Sequence, residues 1–317
     1  MKIIFYGTRE YDHYYFDVLA ADPEYGCEIR FLTANLDADT APLAQGGDAV
    51  CAFVNADCSA PVLEKLAQVG IRCLLLRCAG YNNVDLAAAQ KCGITVLRVP
   101  GYSPEAVAEH AMALAQAANR RICKAYIKVR NNNFALDGLL GYNLYGSSAG
   151  IVGTGRIGAA MARICHGFGM TVLAYDQYRN PALDGIVRYV ELDELLRTAD
   201  LISLHCPLTP ETHELVNARR LALMKPNAIL INTGRGPLVN EQDLADALNS
   251  DKIYAAGVDV LSSEPPRADN PLLTAKNCYI TPHIAWASTE ARERLMNIAI
   301  SNLQAYISGT PENVVNK

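Results

Sequence analysis

Ala149-Gly150-Ile151-Val152-Gly153-Thr154-Gly155-Arg156-Ile157-Gly158 is the stretch of this chain whose reading decides the fold. A short apolar run enters Gly153-x-Gly155-x-x-Gly158, and a helical pattern follows through Ala159, Ala160, Met161 and Ile164. The next apolar run, Thr171-Val172-Leu173-Ala174-Tyr175, ends on Asp176. Strand, glycine turn, helix, second strand and terminal acid, in that order, form the dinucleotide-binding fingerprint in its required context. One glycine makes the tight turn, one admits the pyrophosphate to the backbone, and one lets helix and strand pack closely. The helix N-terminus then offers unpaired N–H groups and a partial positive charge to the phosphates. A carboxylate at Asp176 suits the ribose hydroxyls of NAD and repels the 2′-phosphate of NADP. Arg179 is the one nearby cation, and it sits too far along the loop to reverse that preference.

The fingerprint begins near the middle of the chain, so other structure must occupy the residues before it. A length of 317 residues fits about two domains. Half the residues are hydrophobic and 19% are charged, an ordinary globular balance. A net charge of −5 argues against a nucleic-acid partner, which needs a concentrated basic face. The basic run Arg120, Arg121, Lys124, Lys128 and Arg130 lies on an expected helix and reads as a solvated or subunit-facing surface. No apolar run approaches the roughly 20 residues that span a bilayer. Residues 1–6 form a strand that Arg9 and Glu10 follow too soon for a signal peptide, so the cytoplasm is the expected location. The ten cysteines are scattered, without a C-x-x-C pair or a histidine at metal spacing, so neither a disulfide framework nor a metal site is expected.

The first hundred residues alternate expected strands, at 2–6, 28–32, 49–54, 72–76 and 95–98, with helical patterns at 14–21, 60–69 and 85–92. That order implies an α/β unit with a parallel sheet. At Pro100-Gly101-Tyr102-Ser103-Pro104 the chain turns. Ser103 caps and Pro104 opens a long helix expected to run toward Val129. The second α/β block covers 147–284, with later strands at 201–204, 228–232, 255–259 and 278–281. A final helix over 288–307 is placed to pack back on the first block. The expected architecture is therefore two parallel-sheet domains, Rossmann-like and flavodoxin-like, with a cleft between them. One domain is discontinuous (1–100 plus 286–317) and the other, 101–285, binds the dinucleotide.

Three chemically matched residues stand at or just beyond expected strand ends: Arg235 after Ile231-Asn232-Thr233-Gly234, Glu264 after Val258-Asp259-Val260, and His283 after Ile280-Thr281-Pro282. Open α/β sheets bind ligands beyond the carboxyl ends of their strands. An arginine there grips a carboxylate with two parallel hydrogen bonds. A histidine exchanges a proton with a hydroxyl or ketone oxygen, and a glutamate behind it fixes the ring and favours its charged form.

At these residues the chain resembles the D-2-hydroxyacid dehydrogenase family over essentially its whole length. The resemblance implies a split substrate domain wrapped around an inserted nucleotide domain, and NAD as cofactor. It implies that Arg235 binds the substrate carboxylate and that Glu264 and His283 form the acid–base pair. Arg77-Cys78-Ala79-Gly80-Tyr81-Asn82-Asn83-Val84-Asp85 resembles the loop whose amides, here those of Ala79 and Gly80, meet the carboxylate. His205-Cys206-Pro207-Leu208-Thr209 resembles the loop beside the nicotinamide, where Cys206 serves through its backbone. The cofactor set implied by the family is Gly153, Gly155, Arg156, Ile157, Gly158, Asp176, Cys206, Pro207, Thr212, Thr233, Gly234 and Asp259. The substrate set adds Phe53, Tyr102 and Trp286, and a homodimer built on the long helix is implied.

The first half, with Tyr102 in Val99-Pro100-Gly101-Tyr102-Ser103-Pro104, is similar to bacterial D-lactate dehydrogenases. The segment Pro282-His283-Ile284-Ala285-Trp286-Ala287-Ser288 departs from them toward glycerate dehydrogenases (hydroxypyruvate reductases). The resemblance thus implies reduction of a small 2-ketoacid, D-lactate chemistry first and hydroxypyruvate or glyoxylate second. A NAD-sensing binding protein like the C-terminal-binding-protein corepressors shares the Ala-Trp after the histidine. Such regulators carry long extensions that this chain lacks.

Overall fold

The computed structural model describes residues 1–24 and 26–316. The chain forms two compact units, Met1–Tyr102 with Thr289–Lys317, and Ser103–Ser288. In the first unit β1 (Lys2–Phe5), α1 (Glu10–Ala21), β2 (Glu28–Phe31), β3 (Ala49–Ala52), α2 (Ala60–Gln68), β4 (Cys73–Leu76), α3 (Leu86–Lys91) and β5 (Thr95–Leu97) alternate. Its five strands are parallel in the order β2-β1-β3-β4-β5. β3 and β4 are buried at every residue, as a sheet covered on both faces requires. One face packs Val62, Leu63, Leu66 and Ala89 of α2 and α3. The other packs Phe16 and Leu19 of α1 with Leu295, Met296, Ala299 and Leu303 of the C-terminal helix.

The second unit opens with α4 (Pro104–Asn119) and α5 (Ile122–Arg130). It continues β6 (Ser148–Val152), α6 (Arg156–Gly167), β7 (Thr171–Tyr175), β8 (Val187–Tyr189), α7 (Leu192–Thr198), β9 (Leu201–Leu204) and α8 (Ala218–Leu221). It ends with β10 (Ile229–Asn232), α9 (Glu241–Asn249), β11 (Ala255–Val258) and β12 (Cys278–Ile280). The chain then returns to the first unit as α10 (Thr289–Ile307). Seven parallel strands follow the order β12-β11-β10-β9-β6-β7-β8. The direction of strand addition reverses between β6 and β9, which is where a doubly wound sheet opens a crevice for a ligand. Among the described residues, no helix is long and apolar enough to cross a membrane.

The structure departs from these expectations at several points, and β8 is a strand that the sequence pattern does not announce. The expected long helix breaks at Arg120 and Arg121. Arg121 adopts left-handed backbone (φ 52°) and lays its guanidinium 4.0 Å from the centre of the Tyr254 ring. The first helix begins at Glu10, four residues before the expected Tyr14, because Asp12 accepts the Arg9 N–H and closes its first turn. The unit boundaries fall at 102/103 and 288/289. Arg294 Nε on α10 donates to the Tyr102 carbonyl (2.7 Å), which keeps Tyr102 with the first unit. Asp259 accepts the Ile284 and Ala285 N–H groups and Trp286 Nε1 donates to the His283 carbonyl, which keeps Trp286 with the second.

Candidate active site

The glycine turn is built to leave backbone open on one side and closed on the other. Gly153 has φ +92°, and a Cβ there would come within 2.6 Å of the Cys206 amide nitrogen. A Cβ on Gly158 would overlap the Gly153 carbonyl, so α6 and the end of β6 meet backbone to backbone. Gly155, by contrast, has no atom within 4 Å of its would-be Cβ. It is the N-cap of α6 without a side-chain cap, so the first N–H groups of the helix face open space beside exposed Arg156, while Ile157 packs inward. Asp176, just past β7, accepts the Thr154 N–H and hydroxyl with Oδ2 and the Tyr178 N–H (3.0 Å) with Oδ1, which fixes its carboxylate. Arg179 is exposed, with its guanidinium 5.6 Å from the centre of the Tyr189 ring.

On the other flank of the reversal point, β9 leads into His205, Cys206 and Pro207. Burial pushes the Cys206 thiol up to about 11, which leaves it protonated at neutral pH. Burial pulls His205 down to about 4, and its Nε2 lies 2.8 Å from the Ser203 hydroxyl. Thr212, expected at the cofactor, spends its hydroxyl on its own loop, donating to the Pro207 carbonyl and accepting the Thr209 N–H (both 2.7 Å). Thr233 is different: it is 8% exposed, and its Oγ1 is buried without a hydrogen-bond partner among the described residues. An orphaned hydroxyl at the end of β10, the open amides at Gly155 and the fixed carboxylate of Asp176 together fit a dinucleotide.

Glu264 and His283, nineteen residues apart in sequence, meet at 2.6 Å between Oε2 and Nδ1. The Leu261 N–H (3.1 Å) holds the second oxygen of Glu264. With Nδ1 committed to the carboxylate, Nε2 is the nitrogen that the ring presents outward. His283 has φ +54°, a left-handed conformation that costs a side-chain-bearing residue on the order of 1–2 kcal/mol. Asp259 holds it there. Its carbonyl accepts the His283 N–H (2.8 Å), and its carboxylate accepts the Ile284 (2.9 Å) and Ala285 (2.8 Å) N–H groups and the Thr281 hydroxyl. Burial works to raise Asp259, but these bonds and the approach of His110 outweigh it and keep the group below the usual carboxylate range. Asp259, expected to touch the cofactor, is 1% exposed and engaged with this segment. The apolar surroundings Val258-Asp259-Val260 were the only sequence sign of that burial.

Arg235 follows β10 in extended backbone (φ −141°). Asn232 fixes the turn, accepting the Gly234 N–H (3.0 Å) and donating to the Arg235 carbonyl (2.8 Å). Gly236 lies directly on the backbone of Leu261 and Ser262, so the arginine segment abuts the loop that carries Glu264. Thus the structure sets the three residues on the carboxyl ends of β10, β11 and β12 of one sheet.

The remaining expected substrate residues belong to the first unit. Phe53 follows β3 at that sheet's own reversal point, with the buried Arg77 guanidinium 5.4 Å from its ring centre. The carbonyls of Ala79 and Gly80 are taken by Arg98 Nη1 (3.1 Å) and the Cys78 thiol (3.2 Å). Their N–H groups donate to no group among the described residues. Tyr102 is partly buried against the core beneath α10.

A doubly wound sheet with an open glycine turn at a helix N-terminus, carrying a histidine–glutamate pair and an arginine on adjacent strand ends, fits a nicotinamide-nucleotide dehydrogenase. Residues 112–285 match the family profile "D-isomer specific 2-hydroxyacid dehydrogenase, NAD binding domain". The chain belongs to that family and is an NAD-dependent oxidoreductase. It is 44% identical to a 2-hydroxyacid dehydrogenase homolog of Haemophilus influenzae, over 99% of each chain. It is 48% identical to the hydroxypyruvate reductase of Blautia hydrogenotrophica, over 78% of this chain and 79% of that one. Among solved structures it matches apo D-lactate dehydrogenase from Escherichia coli with a TM-score of 0.91 and 43% identity, over 99% of this chain and 100% of that one.

Proposed function

We propose that this enzyme reduces a small 2-ketoacid to the D-2-hydroxyacid, with pyruvate to D-lactate as the leading reaction. The carrying observation is the 2.6 Å pairing of His283 Nδ1 with Glu264 on the same sheet end as Arg235. NADH, when bound, supplies the hydride that adds to the ketone carbon. His283 gives the proton on Nε2 to the carbonyl oxygen, and Glu264 stabilises the imidazolium before transfer. Arg235 holds the carboxylate through paired N–H donors, and the Ala79 and Gly80 amides add to that grip. Phe53, Tyr102 and Trp286 shape the side-chain end of the substrate site. Gly153, Gly155, Gly158, Asp176, Cys206, Pro207, Thr233 and Gly234 hold the cofactor.

Hydroxypyruvate or glyoxylate reduction is the second reading, favoured by Trp286 directly after the histidine segment and by the reductase at 48% identity. Turnover of NADH with pyruvate, hydroxypyruvate and glyoxylate, compared by kcat/KM, decides between the two. Failure to turn over any 2-ketoacid would refute both. A homodimer is part of the proposal. No residue of α5 is buried, and Ile122, Tyr126, Ile127, Phe134, Leu136 and Leu140 are all exposed, more apolar surface than a monomer usually leaves in one stretch. Sedimentation at micromolar concentration tests it. The buried free thiols of Cys51, Cys58, Cys73 and Cys165 support a reducing compartment, the cytoplasm.

A further inference from the structure

His110, on the second turn of α4, takes part in none of the chemistry assigned above, yet it touches the group that shapes the catalytic segment. Its Nε2 lies 3.1 Å from the Thr281 hydroxyl and 3.5 Å from Asp259 Oδ1. Thr281 spends its only hydroxyl proton on Asp259 Oδ1, so its oxygen must accept from His110, which places a proton on Nε2. A directed chain results: His110 Nε2–H to Thr281 Oγ1–H to the Asp259 carboxylate. That carboxylate also takes the Ile284 and Ala285 N–H groups, and the Asp259 carbonyl takes the His283 N–H. Four bonds from one residue thus fasten 281–285, with left-handed His283 at their centre. Donation along such a chain strengthens each member.

We propose that His110 is a positioning residue for catalysis, acting through Thr281 and Asp259 to hold His283 at its proton-transfer geometry. The proposal rests on His283 being the proton donor. Its outer edge is reachable: His110 and Thr281 both line a cavity of about 680 Å³ bounded by α4, α5 and β12. A substitution at 110 therefore opens onto existing space and need not collapse a packed core.

The test is a set of variants assayed for kcat, KM for the 2-ketoacid, Kd for NADH, and Tm. His110→Ala should lower kcat about threefold to tenfold, the weight of one lost hydrogen bond, with KM and Kd within about twofold. His110→Gln, which restores an N–H donor, should recover most of that loss. Thr281→Val breaks the same chain at its middle, so adding His110→Ala to it should cost little more in kcat. A merely structural role would lower Tm and leave kcat intact. Unchanged kcat in His110→Ala, no recovery in His110→Gln, or additive losses in the double variant would overturn the proposal. His283→Ala, assayed in parallel, separates the two readings: if it keeps full activity the proton-donor assignment falls and the proposal with it. If it is inactive while His110→Ala is indistinguishable from the parent, only the role of His110 falls.

Discussion

Gly236 rests on Leu261 so closely that a methyl group on the glycine would overlap the leucine carbonyl and the following amide nitrogen. The contact is backbone against backbone, so no side-chain rotation relieves it. It joins the segment bearing Arg235 to the loop bearing Glu264, whose Oε1 accepts the Leu261 N–H. Gly236→Ala should therefore displace that loop. We expect a loss of stability on the order of 1–3 kcal/mol and a fall in kcat larger than any change in NADH affinity. Thermal unfolding and fluorescence titration of NADH measure the two. An active variant of parental Tm would show that the loop yields freely.

His283→Ala should lower kcat by about 10²–10⁴, the usual weight of a general acid, with NADH binding nearly intact. Glu264→Gln keeps a hydrogen-bond acceptor for Nδ1 but removes the negative charge, so it should lose less. Single-turnover rates with pyruvate rank the two. Equal losses would mean that the charge of Glu264 carries as much as the histidine itself.

Asp176 is held by Thr154 and Tyr178 in one orientation, so its carboxylate cannot swing away from a 2′-phosphate without breaking those bonds. NADH should exceed NADPH in kcat/KM by about 5- to 150-fold, corresponding to about 1–3 kcal/mol for a charged acceptor left against a phosphate. Asp176→Ala should narrow the ratio by loss with NADH. Equal use of both cofactors by the parent enzyme would contradict the assignment.

Burial works against the charge on Asp200, yet bonds from Lys225 Nζ (2.9 Å), the Ser148 N–H (2.9 Å) and hydroxyl (2.7 Å) and Asn227 (3.0 Å) hold it down at about 2. A carboxylate depressed from 3.8 in the folded state stabilises the fold above its unfolded value, and that contribution disappears as pH falls toward 2. Asp200→Asn should therefore show its full Tm deficit at pH 6 and a shrinking one between about pH 4 and 2. Unfolding scans of both proteins across that range check the sign. A deficit constant with pH would assign the residue a neutral hydrogen-bonding role.

Much of this was legible because single residues carry it. Gly153, Gly155 and Gly158 have no substitute where backbones touch or must stay open, and Arg235 and His283 stand just beyond apolar runs that could only be strands. What escaped depends on partners distant in the chain. Nothing local breaks the helical pattern at Arg121. Its left-handed turn is held by Tyr254, more than a hundred residues later. β8 is three residues long, too short to show a period. Asp259 reads as a strand-end acid like any other, and only the fold reveals that its carboxylate is turned to the 281–285 segment.

Arg235→Lys separates recognition of a carboxylate from attraction to its charge. Lysine keeps the positive charge but cannot reproduce two parallel N–H···O bonds. If the substrate is a 2-ketoacid, kcat/KM should fall on the order of 10²-fold or more, from about 3 kcal/mol for one charge-assisted bond. The Asn232 side chain holds the turn through the Gly234 N–H and the Arg235 carbonyl, so the substitution costs the turn the bond from Arg235 Nη1 to the Gly234 carbonyl (2.7 Å) and keeps those two. Affinity for NADH should change far less than kcat/KM. The decisive control is a neutral ketone of similar size, which has no carboxylate to lose. Both proteins should reduce it equally poorly. A comparable loss on the neutral ketone would show that Arg235 supports the fold or the cofactor, and the carboxylate clamp would have to be sought elsewhere.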